Sequence, residues 1–211
     1  MRRGLFFLLA LSFTTVAGAS AMTFNFDGDV AGQPPKQFEF GRTGQGTPGR
    51  WVVQSVPDAP SAPNVLAQTD ADGTDYRFPV AFVGPEVKDL QLSVRCKPVS
   101  GKVDQACGLI FRVKDADNYY VVRANALENN VRLYHVVKGK RVQFAGWNGK
   151  VASGVWHQLA VHAVGDHFTV TFDGKQVMDA HDQTFVGPGK VGVWTKADSV
   201  TLFDDLTVTP E

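Results

Sequence analysis

The sequence predicts an all-β domain, a two-sheet sandwich or a barrel, and three observations lead there. After residue 21 no segment sustains the 3.6-residue apolar period of an amphipathic helix. Apolar or alternating runs of five to nine residues recur instead. Gly, Pro, Asp and Asn stand between them, the pattern of many short strands joined by tight turns.

Ahead of these runs stands MRRGLFFLLALSFTTVAGASA, Met1 to Ala21, with Arg2 and Arg3, an apolar stretch from Leu5 to Leu11, and small residues ending in Ala19-Ser20-Ala21. Basic start, apolar centre and Ala-x-Ala site define a secretory signal. The apolar part falls short of the roughly 20 residues a membrane span needs. The expectation is a signal over 1–21 and one domain over 22–211, exported to the periplasm or the extracellular space; sandwiches of this size commonly form a single unit. The chain carries 21 basic and 21 acidic residues, and loss of Arg2 and Arg3 leaves 19 against 21. That balance excludes a basic nucleic-acid binder, and no second long apolar stretch points to an integral membrane segment.

The first expected strand is Thr23–Asp27, where Phe24 and Phe26 alternate with polar residues. Gln37–Thr43 and Trp51–Val56 flank the Gly-rich loop Gly44–Arg50, and the Pro-rich Asp58–Pro63 leads into Val65–Thr69. Tyr76–Phe82 and Asp89–Lys97 follow. Ala106–Lys114 and Tyr119–Asn125 lie on either side of Asp115, Asp117 and Asn118, short polar residues that bond their own backbone in turns. Lys138-Gly139-Lys140 joins Val131–Val137 to Arg141–Ala145, and Asn148-Gly149 and Ser153-Gly154 punctuate the connection to Trp156–Val164. His167–Phe172 and Lys175–Ala180 enclose Asp173-Gly174, the clearest hairpin signal, since both residues tolerate positive φ. Lys190–Thr195 and Ser199–Thr207 complete the set.

Period-two alternation assigns faces. Leu90, Leu92, Val94 and Cys96 share an inward face, as do Cys107, Leu109, Phe111 and Val113, so Arg95 and Arg112 point outward. Tyr120, Val122 and Ala124 read as inward, with Arg123 and Asn125 outward. Val131 and Leu133 follow the same rule, with Arg132 and Tyr134 outward and His135 a satisfied or rim histidine. Trp156 and Trp194 lie within strands and read as packing residues.

Cys96 and Cys107 are the two cysteines of the chain. Disulfides persist in exported proteins, and Pro98, Ser100 and Gly101 suit a hairpin that would set the pair face to face on antiparallel strands. Closing that loop would stabilise the domain by about 3 kcal/mol. The alternative is two buried free cysteines.

GLIFRVKDADNYYVVRANALENNVRLYHVVKGKRVQF (Gly108 to Phe144) and GKVGVWTKADSVTLFDDLTV (Gly189 to Val208) resemble a bacterial domain-of-unknown-function group described as similar to 3-keto-disaccharide hydrolases. That group lies within the concanavalin-A-like and laminin-G-like superfamily. Phe24-Asn25-Phe26-Asp27, Arg77-Phe78-Pro79-Val80 and Trp156-His157-Gln158-Leu159 share the likeness, so it covers most of residues 22–211. The resemblance implies a two-sheet antiparallel jelly-roll sandwich with a glycan site on one concave sheet. It also implies a structural calcium where the first and last strands meet, with Asp27 and Asp204 or Asp205 as ligands. Calcium takes carboxylate and carbonyl oxygens, but Asp204 and Asp205 are neighbours on a strand and face opposite ways unless a bulge turns them.

The outward residues Arg95, Arg112, Arg123, Asn125, Arg132 and Tyr134 form a polar platform if their strands are adjacent, and Trp147 beside a loop extends it. Guanidinium forks suit carboxylates or sugar hydroxyls, and an exposed ring offers an amphipathic contact. This is the expected site for an anionic or polar glycan; the competing reading is a solvated face whose arginines pair with nearby acids. Catalysis has less behind it. Glu39, Glu86 and Glu128 do not form the alternating acidic strand motif of the similar laminarinase family. His135, His157, His162, His167 and His181 lack metal-site spacing such as HExxH, and neither a GxSxG elbow nor a P-loop is present. The expected function is an exported carbohydrate-binding or envelope-associated structural module, with a glycan, a small saccharide or a protein as partner. A glycoside hydrolase acting on a disaccharide or modified glycan is one alternative, and a protein-interaction module is the other.

Overall fold

The computed structural model describes residues 20–211, so all but the last two residues of the expected signal lie outside it. Fifteen strands form: β1 (Met22–Phe24), β2 (Glu39–Gly44), β3 (Trp51–Ser55), β4 (Asn64–Gln68), β5 (Arg77–Val87), β6 (Leu90–Ser100), β7 (Ala106–Asp115), β8 (Asn118–Asn125), β9 (Asn130–Val137), β10 (Lys140–Asn148), β11 (His157–Val164), β12 (His167–Phe172), β13 (Lys175–His181), β14 (Gly189–Trp194) and β15 (Val200–Pro210). Each corresponds to one expected run, with ends moved by a few residues.

Sheet A has the order β13-β12-β11-β6-β15-β4-β3, with β1 also paired to β15, and sheet B the order β10-β9-β8-β7-β14-β5-β2. All pairings are antiparallel. β6 lies between β11 and β15, and β14 between β5 and β7. The chain therefore crosses repeatedly from one layer to the other, as a jelly-roll sandwich does. Asp173 and Gly174 take φ of 47° and 78° in the β12–β13 hairpin, the left-handed values that a two-residue turn of this hand requires. Among the described residues no helix is long and apolar enough to cross a membrane.

The main core lies between the layers. Leu90, Leu92, Val94 and Cys96 of sheet A join Cys107, Leu109, Phe111, Tyr120, Val122 and Leu133 of sheet B there, all nearly or fully buried. Alternation places these residues as expected. Two departures follow from one bulge, the register shift between Phe111 and Asp115 on β7. Arg112 takes φ of 49° and turns away from the outer face. Its side chain is fully buried and donates to the carbonyls of Lys88 (2.9 Å), Phe185 (2.8 Å) and Gly165 (2.7 Å), tying three loops together. Val113, expected inward beside Phe111, packs on the outer face instead.

The Cys96–Cys107 disulfide forms, with the Cα atoms 6.2 Å apart. The expected setting for it does not. β6 and β7 belong to different sheets and are not paired, so the bond crosses the sandwich rather than closing a hairpin. Both cysteines are fully buried. Replacing both by alanine is expected to lower the unfolding free energy by about 2–5 kcal/mol, read from urea unfolding at 25 °C.

Candidate functional site

Sheet B buries its second face as well. Phe78, Val80, Ile110, Tyr119, Val121, Tyr134, Val136 and Trp194 form a separate apolar cluster there. Strand β5 is consequently buried over seven successive residues, Arg77 to Val83. A sheet with one wet face would alternate instead. The β7–β8 turn covers one end of this face: Thr43 Oγ1 donates to the Ala116 carbonyl, and the Thr43 and Tyr119 hydroxyls lie 2.6 Å apart.

Arg141 covers the rest. Its guanidinium lies 4.4 Å from the Tyr134 ring, 4.7 Å from Phe78 and 5.6 Å from Trp194. Phe78 is on β5, five strand spacings from β10, which a flat sheet would place about 24 Å away. No arginine reaches that far, so sheet B is strongly curled and its outer face is concave. Phe78 stacks on Trp194 with ring centroids 5.3 Å apart, and Trp194 Nε1 donates to the Tyr119 hydroxyl (3.2 Å).

A charged cluster adjoins this aromatic floor. Arg123 Nη2 donates to Glu128 (2.8 Å) and to the Tyr134 hydroxyl (3.1 Å), and Nη1 donates to Asn130. Asn125 Nδ2 donates to Asp104 (2.8 Å), whose other oxygen pairs with Lys196 (2.7 Å). Loops set these groups in place. The amides of Lys102, Val103 and Asp104 all donate to the Asp198 carboxylate, and those of Leu127 and Glu128 donate to Asn125 Oδ1. Arg123 Nε and Arg141 Nη1 are buried without a hydrogen-bond partner.

Burial disfavours charge on Asp104 and raises its pKa against the opposing pull of Lys196 and Arg123. Burial acts the same way on Glu128, but the nearby charge of Arg123 and hydrogen bonds from Asn130 and Arg123 outweigh it and hold the pKa below the ordinary value. Burial also lowers the pKa of Arg141. A concavity of about 520 Å³ lies elsewhere, along Met22–Phe26 and Phe38. Asp29 is the one ionisable side chain among its lining residues, so the curled face, where opposite charges and aromatic rings meet, is the better candidate.

The structure divides the expected platform. Arg123, Asn125 and Tyr134 come together on the curled face. Arg132 sits across from Arg123 on β9 and donates to the Trp147 carbonyl (2.7 Å) and to Asn148 (2.6 Å). Arg95 is on sheet A, across from Gln158 and Asp204. Arg112 is the buried tie described above, and Trp147 packs against the main core near Phe172. Sequence reasoning missed Arg141 on β10 and Asp104 and Lys196 in loops, and weighed Glu128, in a third loop, only as a catalytic acid. Outward parity of Arg141 beside Tyr134 was the signal available for one of them.

Asp204 and Asp205 do converge. A bulge between Asp204 and Thr207, with Asp205 at φ 49°, turns both toward the loop before β4. Asp204 accepts from the Ser61 amide (2.8 Å) and Asp205 from the Ser61 hydroxyl (2.7 Å). Asp27 accepts from the Asn64 amide at the start of β4 (3.0 Å). Among the described residues, one group of three His, Cys, Asp or Glu has ligand atoms all within 4.8 Å of one another, and it is His167, Asp179 and His181 on the β12–β13 hairpin.

No family model matches the chain. A levanase of Bacillus subtilis (strain 168) is 30% identical over 104 residues, which are 48% of this chain and 15% of that protein. The chain thus aligns with a small part of that relative's length. Among solved structures, the carbohydrate binding module CBM66 from Bacillus subtilis superposes with a TM-score of 0.65 at 21% identity, over 81% of this chain and 94% of that one. The cellulose induced protein Cip1 superposes at 0.64 with 9% identity, over 90% and 97%. The exoplasmic/lumenal domain of VIP36, in a form bound to calcium and mannose, superposes at 0.56 with 13% identity, over 90% and 89%. The likeness to these structures shows the fold alone, a two-sheet antiparallel sandwich consistent with a jelly roll.

Burial pushes the Asp204 carboxyl up to about 7, against hydrogen bonds from the Ser61 and Asp205 amides, with the Asp205 and Asp27 charges adding to the rise. Between the ordinary aspartate value, about 4, and about 7, the folded chain retains a proton that the unfolded chain has released. Stability in the presence of chelator should therefore fall as the pH rises through that window. Asp204→Asn should flatten the fall in thermal melts taken from pH 4.5 to 7.5.

Proposed function

We propose that this chain is a carbohydrate-binding module whose ligand lies on the concave face of sheet B. One observation carries the reading: Arg141, half-buried over an aromatic floor beside Arg123 and Asp104, makes no side-chain hydrogen bond among the described residues. A sugar hydroxyl or carboxylate would satisfy the remaining, open donors of Arg141, whereas Arg123 Nε and Arg141 Nη1 are closed to solvent. Phe78, Tyr134 and Trp194 lie buried beneath Arg141 and hold its guanidinium in place, so the face offered to a sugar is polar. Of the expected platform, Arg123 and Tyr134 border the proposed site with Arg132 across from Arg123, Asn125 would support it from a fully buried position, and Arg95, Arg112 and Trp147 fall outside it. The likeness to a carbohydrate binding module and to part of a levanase supports the same reading.

Hydrolysis of a disaccharide or modified glycan, as the resemblance to the 3-keto-disaccharide group suggests, is the second reading. Asp104 and Glu128 favour it, because two carboxyl groups with pKa values displaced in opposite directions are the mark of an acid and a base. Asp104 is nevertheless fully buried and engaged by Asn125 and Lys196, which favours binding without cleavage. The export signal over 1–21, the single domain over 22–211 and a periplasmic or extracellular location belong to the same proposal.

Asp27, Asp204 and Asp205 present an oxygen-only donor set against Ser61 and Asn64, the chemistry calcium prefers, with carboxylate oxygens that would have to draw closer than they stand to share one ion. We assign them a structural calcium, which would offset the burial of the Asp204 carboxylate. Its role would be to clamp β15 and the segment after β1 to Ser61 and Asn64, away from the glycan face. Calorimetric titration of the chelated protein should show calcium-dependent heat and a raised melting temperature, both lost in Asp204→Asn; absence of both in the unaltered protein refutes the assignment.

For the glycan site, Arg141→Ala should weaken binding to the best ligand on a glycan array by roughly 10- to 100-fold, the equivalent of one hydrogen bond to a charged group. The fold should persist by circular dichroism. Undiminished binding in Arg141→Ala rejects the concave face as the site, and turnover of the bound glycan would move the reading to the hydrolase.

A further inference from the structure

We propose that His167, Asp179 and His181 bind a divalent transition metal of the zinc, nickel or copper(II) class, at a site independent of the glycan face and of the three aspartates. The argument begins with register. His167 pairs with His181 and Thr169 with Asp179 across the β12–β13 hairpin. Side chains two apart share a face, so both imidazoles and the carboxylate stand on the outer side of sheet A, while Phe168 and Val170 fill the core beneath. The rings stack at 4.6 Å between centroids, and His167 Nε2 lies 2.8 Å from Asp179 Oδ1.

All three ligand atoms fall within 4.8 Å of one another. Metal–ligand bonds of 2.0–2.1 Å at tetrahedral angles need ligand atoms about 3.3 Å apart, a spacing that small rotations of these exposed side chains supply. A second feature points the same way. His181 Nδ1 faces Asp166 Oδ1 at 3.4 Å, and Asp166 is itself held by Gln183 Nε2 at 2.8 Å. A metal-binding histidine commonly directs its other ring nitrogen at a carboxylate, which fixes the ring and leaves the opposite nitrogen for the ion. His181 Nε2 is the nitrogen left over here.

Two imidazoles and one carboxylate select the metal class, because imidazole suits zinc, nickel and copper whereas calcium and magnesium take oxygen. Three protein ligands leave one position open for water or another donor. Bound metal would cross-link β13, an edge of sheet A, to β12.

Zinc titration of the whole chain by calorimetry tests this, with calcium in excess to fill any oxygen site, alongside His167→Ala, His181→Ala and the control His162→Ala. The unaltered protein and the control should each take up one zinc and melt at a higher temperature with it. Either hairpin variant should bind at least about tenfold more weakly, since removal of a direct ligand costs no less than removal of an outer-sphere partner. If a variant fails to fold, imidazole nitrogen resonances of the unaltered protein give the answer: zinc should move those of His167 and His181 and leave His135, His157 and His162 in place. Absence of zinc uptake, uptake lost in His162→Ala, full uptake in His181→Ala, or resonance changes confined to the other histidines overturns the proposal.

Discussion

Sheet B is buried on both of its faces, and the rest of the molecule is arranged around that constraint. One face packs on sheet A through Leu109, Phe111, Tyr120 and Val122, and the other carries Phe78, Tyr119, Val121 and Trp194. A second dry face on an antiparallel sheet has to be covered, and here the cover is polar at its outer surface: the β7–β8 turn at one end and Arg141 over the middle. Arginine suits the task because its planar guanidinium stacks on rings while its hydrogens remain available. The surface proposed for glycan binding thus arises where an apolar layer meets the charges that shield it.

Local backbone irregularity decides which charged groups reach that surface. The bulge on β7 removes Arg112 from the outer face and spends its donors on three carbonyls between loops. A second bulge, on β15, does the opposite for Asp205, bringing it beside Asp204 against a single serine. In each case a non-glycine residue near φ 49° marks the change of direction, and bulges of this kind recur where a sheet has to re-aim a side chain.

Much of the architecture was legible in the sequence because a strand with one wet face alternates visibly. Leu90, Leu92, Val94 and Cys96 do so, and every expected strand has its counterpart. The partnership of strands was less legible: Cys96 and Cys107 looked like hairpin neighbours, yet they join opposite layers, since proximity in sequence does not reveal a crossover. The candidate site was legible only where alternation survived, at Arg123, Asn125 and Tyr134; away from it, His135, expected as a satisfied or rim histidine, lies against Asp182 on the core side. Alternation failed for Arg112, where a bulge broke the period, and for Asp104, Glu128 and Lys196, which belong to loops that no period governs. Arg95 shared their outward parity but on the wrong sheet, a distinction that parity by itself does not contain.

The reach of Arg141 across five strand spacings has a thermodynamic corollary. A long flexible side chain ordinarily surrenders its rotamer freedom when a ligand arrives, and that loss subtracts from affinity. Here the freedom is surrendered during folding, because three rings already hold the guanidinium in place. A partner meeting this face would encounter a rigid donor, and selectivity would depend on whether its acceptors match a fixed geometry.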